Sequence, residues 1–253
     1  WIGSKEKLED VVQQIAGKCN RVINENSPIV DARLENGSRV NAVIYPVALD
    51  GPILTIRRFP EHAITMEDLI AKESITREAA TFLEQMVKAG YSILIGGGTS
   101  SGKTTFLNAL SVYIPKGERI ITIEDNAELQ IQGIENLVRL ETRMKNVEGG
   151  SPNLISMEVR NANIEGDHEI TIRDLIRTAL RMAPNRIIVG EIRGEEAVDL
   201  LQAWNTGHDG SLGTAHANST GDMISRVETM VLMGVQLPLE AIRRQIASGI
   251  EIL

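Results

Sequence analysis

Aromatic residues make up 3 % of this 253-residue chain, cysteine occurs once, and positive charge is outnumbered: 26 Lys and Arg against 34 Asp and Glu, a formal net charge of −8. Each scarcity excludes something. A single cysteine, Cys19, rules out an internal disulfide and any cysteine-built metal cluster; it reads as a small apolar helix residue in a reducing compartment. The acidic balance argues against nucleic acid as a partner, as does the absence of a stripe in which basic and aromatic residues alternate. No apolar run approaches the ~20 residues that cross a bilayer, and no basic segment followed by an apolar one opens the chain. What is present is 42 % hydrophobic residues, enough for a core in one large domain or two small ones.

One stretch organises the rest. The apolar run Ser92-Ile93-Leu94-Ile95 enters a glycine-rich turn, Gly96 to Gly102, and continues as Lys103-Thr104-Thr105-Phe106-Leu107 with helical apolar spacing. Gly97, Gly98, Thr99, Ser100, Ser101, Gly102, Lys103 and Thr104 satisfy G-x-x-x-x-G-K-[ST], with Thr105 following. In that pattern backbone N–H groups at a helix N-terminus surround phosphates, Lys103 reaches the β- and γ-phosphates, and the Thr104 hydroxyl sits on Mg²⁺.

Before this stretch, Leu8 to Ile23 has amphipathic helical spacing over about residues 4–24. Val30, Ala32 and Leu34 then alternate up to Asn36-Gly37, and Val40, Ala42 and Ile44 alternate after it, a hairpin signal; Asp50-Gly51 turns into a third strand, Ile53 to Arg58. This is a small α+β module over residues 1–62, followed by a linker at 63–75 and a second domain at 76–253. In the second domain Arg119–Ile123 reads as a buried strand ending in Glu124-Asp125-Asn126-Ala127-Glu128, whose acids either serve a metal-bound polyphosphate or are solvated loop residues. Arg186–Val189 is another strand, delivering Gly190 and Glu191 at its tip, where an acid can hold Mg²⁺ or its water shell. Trp204 falls on an apolar helix face and reads as core. His208 and His216 bracket a glycine-rich strand, each either directed toward a γ-phosphate or structural. Strands alternating with helices behind a phosphate loop predict a RecA-like, mainly parallel α/β domain.

Five ordered boxes carry a family resemblance: Gly97–Thr105, Thr122–Leu129, Ile188–Gly194, Asn205–Ser211 and His216–Ser219. The sequence resembles the secretion ATPases of type II and type IV systems, most closely the branch that drives Tad/Flp pilus assembly. The resemblance implies a homo-hexamer at the cytoplasmic face of the inner membrane, hydrolysing ATP with Mg²⁺ to drive an inner-membrane platform protein. It also implies Glu128 as the water-activating carboxylate, Glu191 as the acid on the Mg²⁺ side, Arg57 as an N-terminal arginine approaching the nucleotide, and further sequence at both ends. Ala183-Pro184 departs from the usual Arg-Pro. A DNA-translocating or conjugation ATPase with the same core is the alternative, and a poorly hydrolysing regulatory module a third.

One feature lies outside the resemblance. Glu141-Thr142-Arg143 to Gly149 recurs in register as Glu158-Val159-Arg160 to Gly166, so residues of about 144–160 are expected to form a surface excursion, the alternative being two separate structural strands, and either Arg143 or Arg160 serves the site.

Overall fold

A computed structural model describes residues 4–60, 62–142 and 169–253. The repeat and its excursion therefore fall largely outside the described residues. Two compact units are present, the first ending at His62 and the second beginning at Ala63.

The first unit opens with α1 (Lys5–Lys18), capped by the Ser4 side chain. It stops six residues short of the helix that periodicity predicts, because Asn20 takes a left-handed φ of 51°. Cys19 follows the helix rather than lying in it and is half-exposed, its thiol donating to Arg33 O at 3.3 Å. Strands β1 (Ile29–Arg33), β2 (Arg39–Val43) and β3 (Ile53–Arg57) form an antiparallel sheet in that order. Between β1 and β2 the Asn36 carboxamide accepts from Ser38 N at 3.0 Å and Gly37 takes a φ of 83°, the turn that Asn-Gly signals. Strand alternation puts Val30, Ala42 and Leu54 on one face, against Val12 and Ala16 of α1.

The second unit is a five-stranded, wholly parallel sheet. Its strands are β4 (Ile93–Gly97), β5 (Arg119–Glu124), β6 (Asn136–Glu141), β7 (Arg186–Ile192) and β8 (Leu212–His216), in the spatial order β4-β8-β7-β5-β6. Helices cover both faces. Ile93, Ile95, Ile120, Ile188 and Leu212 face α2 (Met66–Ala71), α3 (Arg77–Ala89) and α4 (Lys103–Ser111). Leu94, Ile121, Ile123, Ile187 and Val189 face α5 (Ile172–Leu180), α6 (Glu196–Trp204), α7 (Thr220–Gly234) and α8 (Leu239–Gly249). Trp204 is core, as its helical spacing requires.

The segment 63–75 is not a linker. Thr65 and Asp68 form a reciprocal capping box, a feature worth about 1 kcal/mol, and α2 buries Met66 against Leu107-bearing α4 in the core of the second unit. A second capping box, Thr171 with Asp174, starts α5. Pro238 stands at the N-cap of α8, one position earlier than an N1 proline.

Candidate functional site

The phosphate loop follows β4 directly. A Cβ at Gly97 would run into the Ser101 Oγ, and Ser100 and Gly102 take left-handed φ values of 59° and 93°, so the turn depends on residues that tolerate this backbone. No side chain caps α4, which leaves the helix start to an anion. Thr99, Ser100, Ser101 and Gly102 are exposed; Gly98, Thr104 and Thr105 are half-buried. The Lys103 side chain turns back over the loop, its Nζ donating to Gly97 O (3.1 Å) and Gly98 O (2.7 Å) and lying 3.2 Å from His216 Nδ1. Burial lowers the Lys103 amine from its ordinary value, against the pull of nearby Glu191.

His216 continues the series. Its Nε2 lies 2.5 Å from Glu191 Oε1. Because an ammonium can only donate, Lys103 requires Nδ1 to accept, and the ring proton then falls on Nε2, where it meets Glu191; the other neutral tautomer would leave Glu191 Oε1 buried without a partner. Arg193 pairs with Glu191 Oε2 and, through Nη1, with Asp125 Oδ2 at 3.1 Å. Lys103, His216, Glu191, Arg193 and Asp125 thus form one chain of polar contacts across the C-terminal ends of β4, β8, β7 and β5. Arg193 belongs to the quoted Ile188–Gly194 box, yet sequence gave it no role; its spacing of two from Glu191 is the signal that could have found it.

The turns behind this chain are held by buried carboxylates. Glu196 Oε1 accepts from Arg193 N (2.6 Å) and Gly194 N (2.9 Å). Glu124 Oε2 accepts from Glu128 N (2.7 Å) and Leu129 N (2.8 Å). Burial pushes the Glu124 carboxyl up to about 7, only partly offset by those two amides. Glu128 itself is half-buried.

His208 does not reach the phosphate loop. It precedes β8, so it lies at the N-terminal end of the sheet, and its Nδ1 is 2.9 Å from Pro184 O. That corner is structural: Ser211 Oγ donates to His208 O (2.6 Å) and accepts from Ile187 N (3.0 Å), while a Cβ on Gly210 would collide with the buried Arg186 guanidinium. Sequence proximity to glycines and to β8 misled here, since it does not say which end of a strand a residue occupies.

Arg57 lies in the first unit, at the end of β3. Sheet register aligns Arg33, Arg39 and Arg57 on one rung and on the face opposite α1. Sequence singled out only Arg57; the register adds the other two.

Among the described residues no group of three or more His, Cys, Asp or Glu side chains can hold a metal by itself. That does not argue against Mg²⁺, which keeps water and phosphate oxygens and takes only one or two protein donors. Among the described residues no helix is long and apolar enough to cross a membrane.

The chain is similar to several known proteins. A putative conjugal transfer protein of Mycobacterium tuberculosis is 36 % identical over 96 % of this chain and 65 % of its own length. The type IV secretion system protein PtlH of Bordetella pertussis is 35 % identical over 98 % of this chain and 75 % of its own. An uncharacterised protein of Methanocaldococcus jannaschii is 42 % identical over 82 % of this chain, which spans only 27 % of that relative. Among solved structures, the VirB11 ATPase of the Brucella suis type IV secretion system, in complex with sulphate, matches with a TM-score of 0.56 and 29 % identity over 98 % of this chain and 77 % of its own. The pilus retraction motor PilT with bound ADP matches with a TM-score of 0.64 at 22 % identity, over 98 % of this chain and 64 % of its own, a likeness of fold. The family model described as type II/IV secretion system protein matches residues 4–250, and the chain belongs to that family.

Proposed function

We propose that this chain is the ATP-hydrolysing motor subunit of a type IV secretion or conjugal-transfer machine. The observation that carries the reading is the polar chain from Lys103 to Asp125 beside an uncapped helix N-terminus. Phosphoryl transfer needs positioning and charge neutralisation, and these groups supply both. The amides of α4 and Lys103 bind the phosphates, Lys103 leaving its loop carbonyls to do so. Thr104 and Glu191 would hold Mg²⁺, Glu191 giving up its contacts with His216 and Arg193, and the ion would supply charge neutralisation on the phosphates. His216 exchanges Glu191 for the γ-phosphate as the acceptor of its Nε2 proton, and Glu128 takes the proton of the attacking water. Arg57, which the family resemblance implies as an arginine approaching the nucleotide, is kept as a nucleotide-binding residue in this reading.

The named relatives favour conjugal transfer and type IV secretion over the Tad/Flp branch, which rests on motif resemblance alone. The net charge of −8 supports a protein component of the machine, an inner-membrane platform protein, rather than DNA as what the motor works on. A homo-hexamer at the cytoplasmic face of the inner membrane completes the reading.

The test compares ATP binding and turnover for the parent and Glu128→Gln, with and without duplex and single-stranded DNA, while light scattering follows assembly with a non-hydrolysable analogue. Glu128→Gln is expected to bind ATP and stall, DNA to leave the rate within about twofold, and assemblies larger than a dimer to form. Turnover at the parent rate in Glu128→Gln would sink the assignment of Glu128. Strong stimulation by DNA would move the chain to the DNA-translocating class.

A further inference from the structure

We propose that Glu124 is a positioning residue for hydrolysis: its buried carboxylate folds the Asp125–Gln130 turn and thereby sets the backbone that carries Glu128. The inference rests on the reading of Glu128 as the water-activating group. The turn has no regular secondary structure, and four successive amides within it are each taken by a side-chain acceptor. Ala127 N donates to Glu141 Oε1 of β6 (3.0 Å), Glu128 N and Leu129 N to Glu124 Oε2 (2.7 and 2.8 Å), and Gln130 N to Asn108 Oδ1 of α4 (2.9 Å). Three elements converge on the turn, and Glu124 holds its centre.

Glu124 also lies against the neighbouring acid-bearing strand. A Cβ at Gly190 would stand 3.0 Å from Glu124 Cγ and 3.5 Å from Oε2, so the glutamate occupies the space that a side chain just before Glu191 would need. Gly190 is fixed in turn, its carbonyl accepting from Thr214 Oγ1 at 2.6 Å. With 2 % of its surface exposed, Glu124 is shut off from solvent and meets the turn through its two backbone hydrogen bonds. Burial that raises its carboxyl to about 7 is the cost of placing an acid there, whereas a bare β-strand end would be better served by an apolar residue. The turn uses Glu124 as an oxygen acceptor.

The experiment measures kcat, KM for Mg·ATP, and amide hydrogen exchange at Glu128 and Leu129 in the parent, Glu124→Ala and Glu124→Gln, with Glu128→Gln alongside. Glu124→Ala should lower kcat by about 10- to 100-fold, as expected for a sub-ångström displacement, while KM stays within about threefold and both amides exchange at least about tenfold faster. Glu124→Gln keeps an acceptor oxygen and should restore kcat to within about threefold and both protections. A parent-like kcat in Glu124→Ala, with Glu128→Gln stalled, would overturn the inference and leave the functional reading standing. Glu124→Gln as slow as Glu124→Ala, with its amides still protected, would overturn it by showing that the charge matters. Parent-rate turnover in Glu128→Gln would defeat the functional reading and the inference with it. Should Glu124→Ala not fold, Gly190→Ala applies the same displacement from the other side: about a tenfold lower kcat at an unchanged melting temperature is expected, and a parent-like kcat would overturn the inference.

Discussion

The two ends of the five-stranded sheet each gather an arginine, a histidine and a glutamate beside a glycine turn, and they treat them differently. At the N-terminal end the Arg186 side chain is 3 % exposed and is bonded through all three of its nitrogens: it pairs with both oxygens of Glu118 and donates to Val87 O (2.6 Å) and Gly210 O (3.2 Å). At the C-terminal end the Arg193 side chain is 59 % exposed, and Lys103 rests on loop carbonyls that a phosphate can replace. A saturated buried network holds a fold together, whereas groups whose partners can be exchanged for a ligand's are free to do chemistry. In a parallel sheet every strand tip of one kind lies at the same end, which is why the division follows the sheet.

Substitutions at the two ends should therefore separate stability from binding. The largest effect is expected for Arg186→Ala, which strands two buried carbonyls and the Glu118 carboxylate: a loss of about 4 kcal/mol in urea unfolding, with nucleotide affinity per folded molecule unchanged. If this variant unfolds like the parent, the N-terminal end is not the structural one.

Glu124 sharpens the comparison, because it belongs to the C-terminal end and yet is buried. Its carboxyl keeps a proton up to about 7 in the folded protein, against 4.5 ordinarily. Between those values the folded state binds more protons than the unfolded one. The contribution is complete below pH 4.5 and is lost as pH rises through 7, amounting to up to ~3 kcal/mol. Unfolding at pH 5 and pH 8 should show this fall in the parent and a flatter dependence in Glu124→Gln; equal slopes would place the Glu124 carboxyl near its ordinary value.

Lys103→Ala is the counterpart of Arg186→Ala. Affinity for Mg·ATP should fall about 100-fold, or ~2.7 kcal/mol, and the melting temperature should hardly move, since the lost partners are two part-buried loop carbonyls and one imidazole nitrogen rather than core contacts. Calorimetric titration and a thermal melt on one sample check both halves.

Much of this was legible in sequence and some was not. The phosphate loop was legible because strand, glycine turn and helix follow one another without a gap, so local signals suffice. Thr65-x-x-Asp68 announced a helix, but its membership of the second unit depends on Met66 meeting a core assembled from residues 80 to 212. The inward course of Glu124 was hidden because β5 is buried on both faces: Ile120, Ile121, Thr122 and Ile123 show no alternation from which a direction could be taken. The alignment of Arg33 with Arg39 and Arg57 is a matter of register across three strands, which the hairpin turn fixes only in three dimensions.

The smallest and most discriminating effect concerns the two histidines, which look alike in sequence. Among the described residues His216 is the ring that sits between Lys103 Nζ and Glu191 Oε1. Its replacement by alanine removes the imidazole that links Lys103 to Glu191 and should cost about tenfold in kcat, ~1.4 kcal/mol, with little change in stability. His208 donates its Nδ1 proton to Pro184 O at the far end of β8, so His208→Ala should leave kcat within about twofold and cost stability by about 1 kcal/mol, the net worth of one hydrogen bond. The two variants are thus expected to exchange roles between an ATPase assay and a melt. Should His208→Ala lose turnover while melting like the parent, its side chain reaches a nucleotide by some route other than the loop of its own sheet, and the division between the two ends fails at that residue.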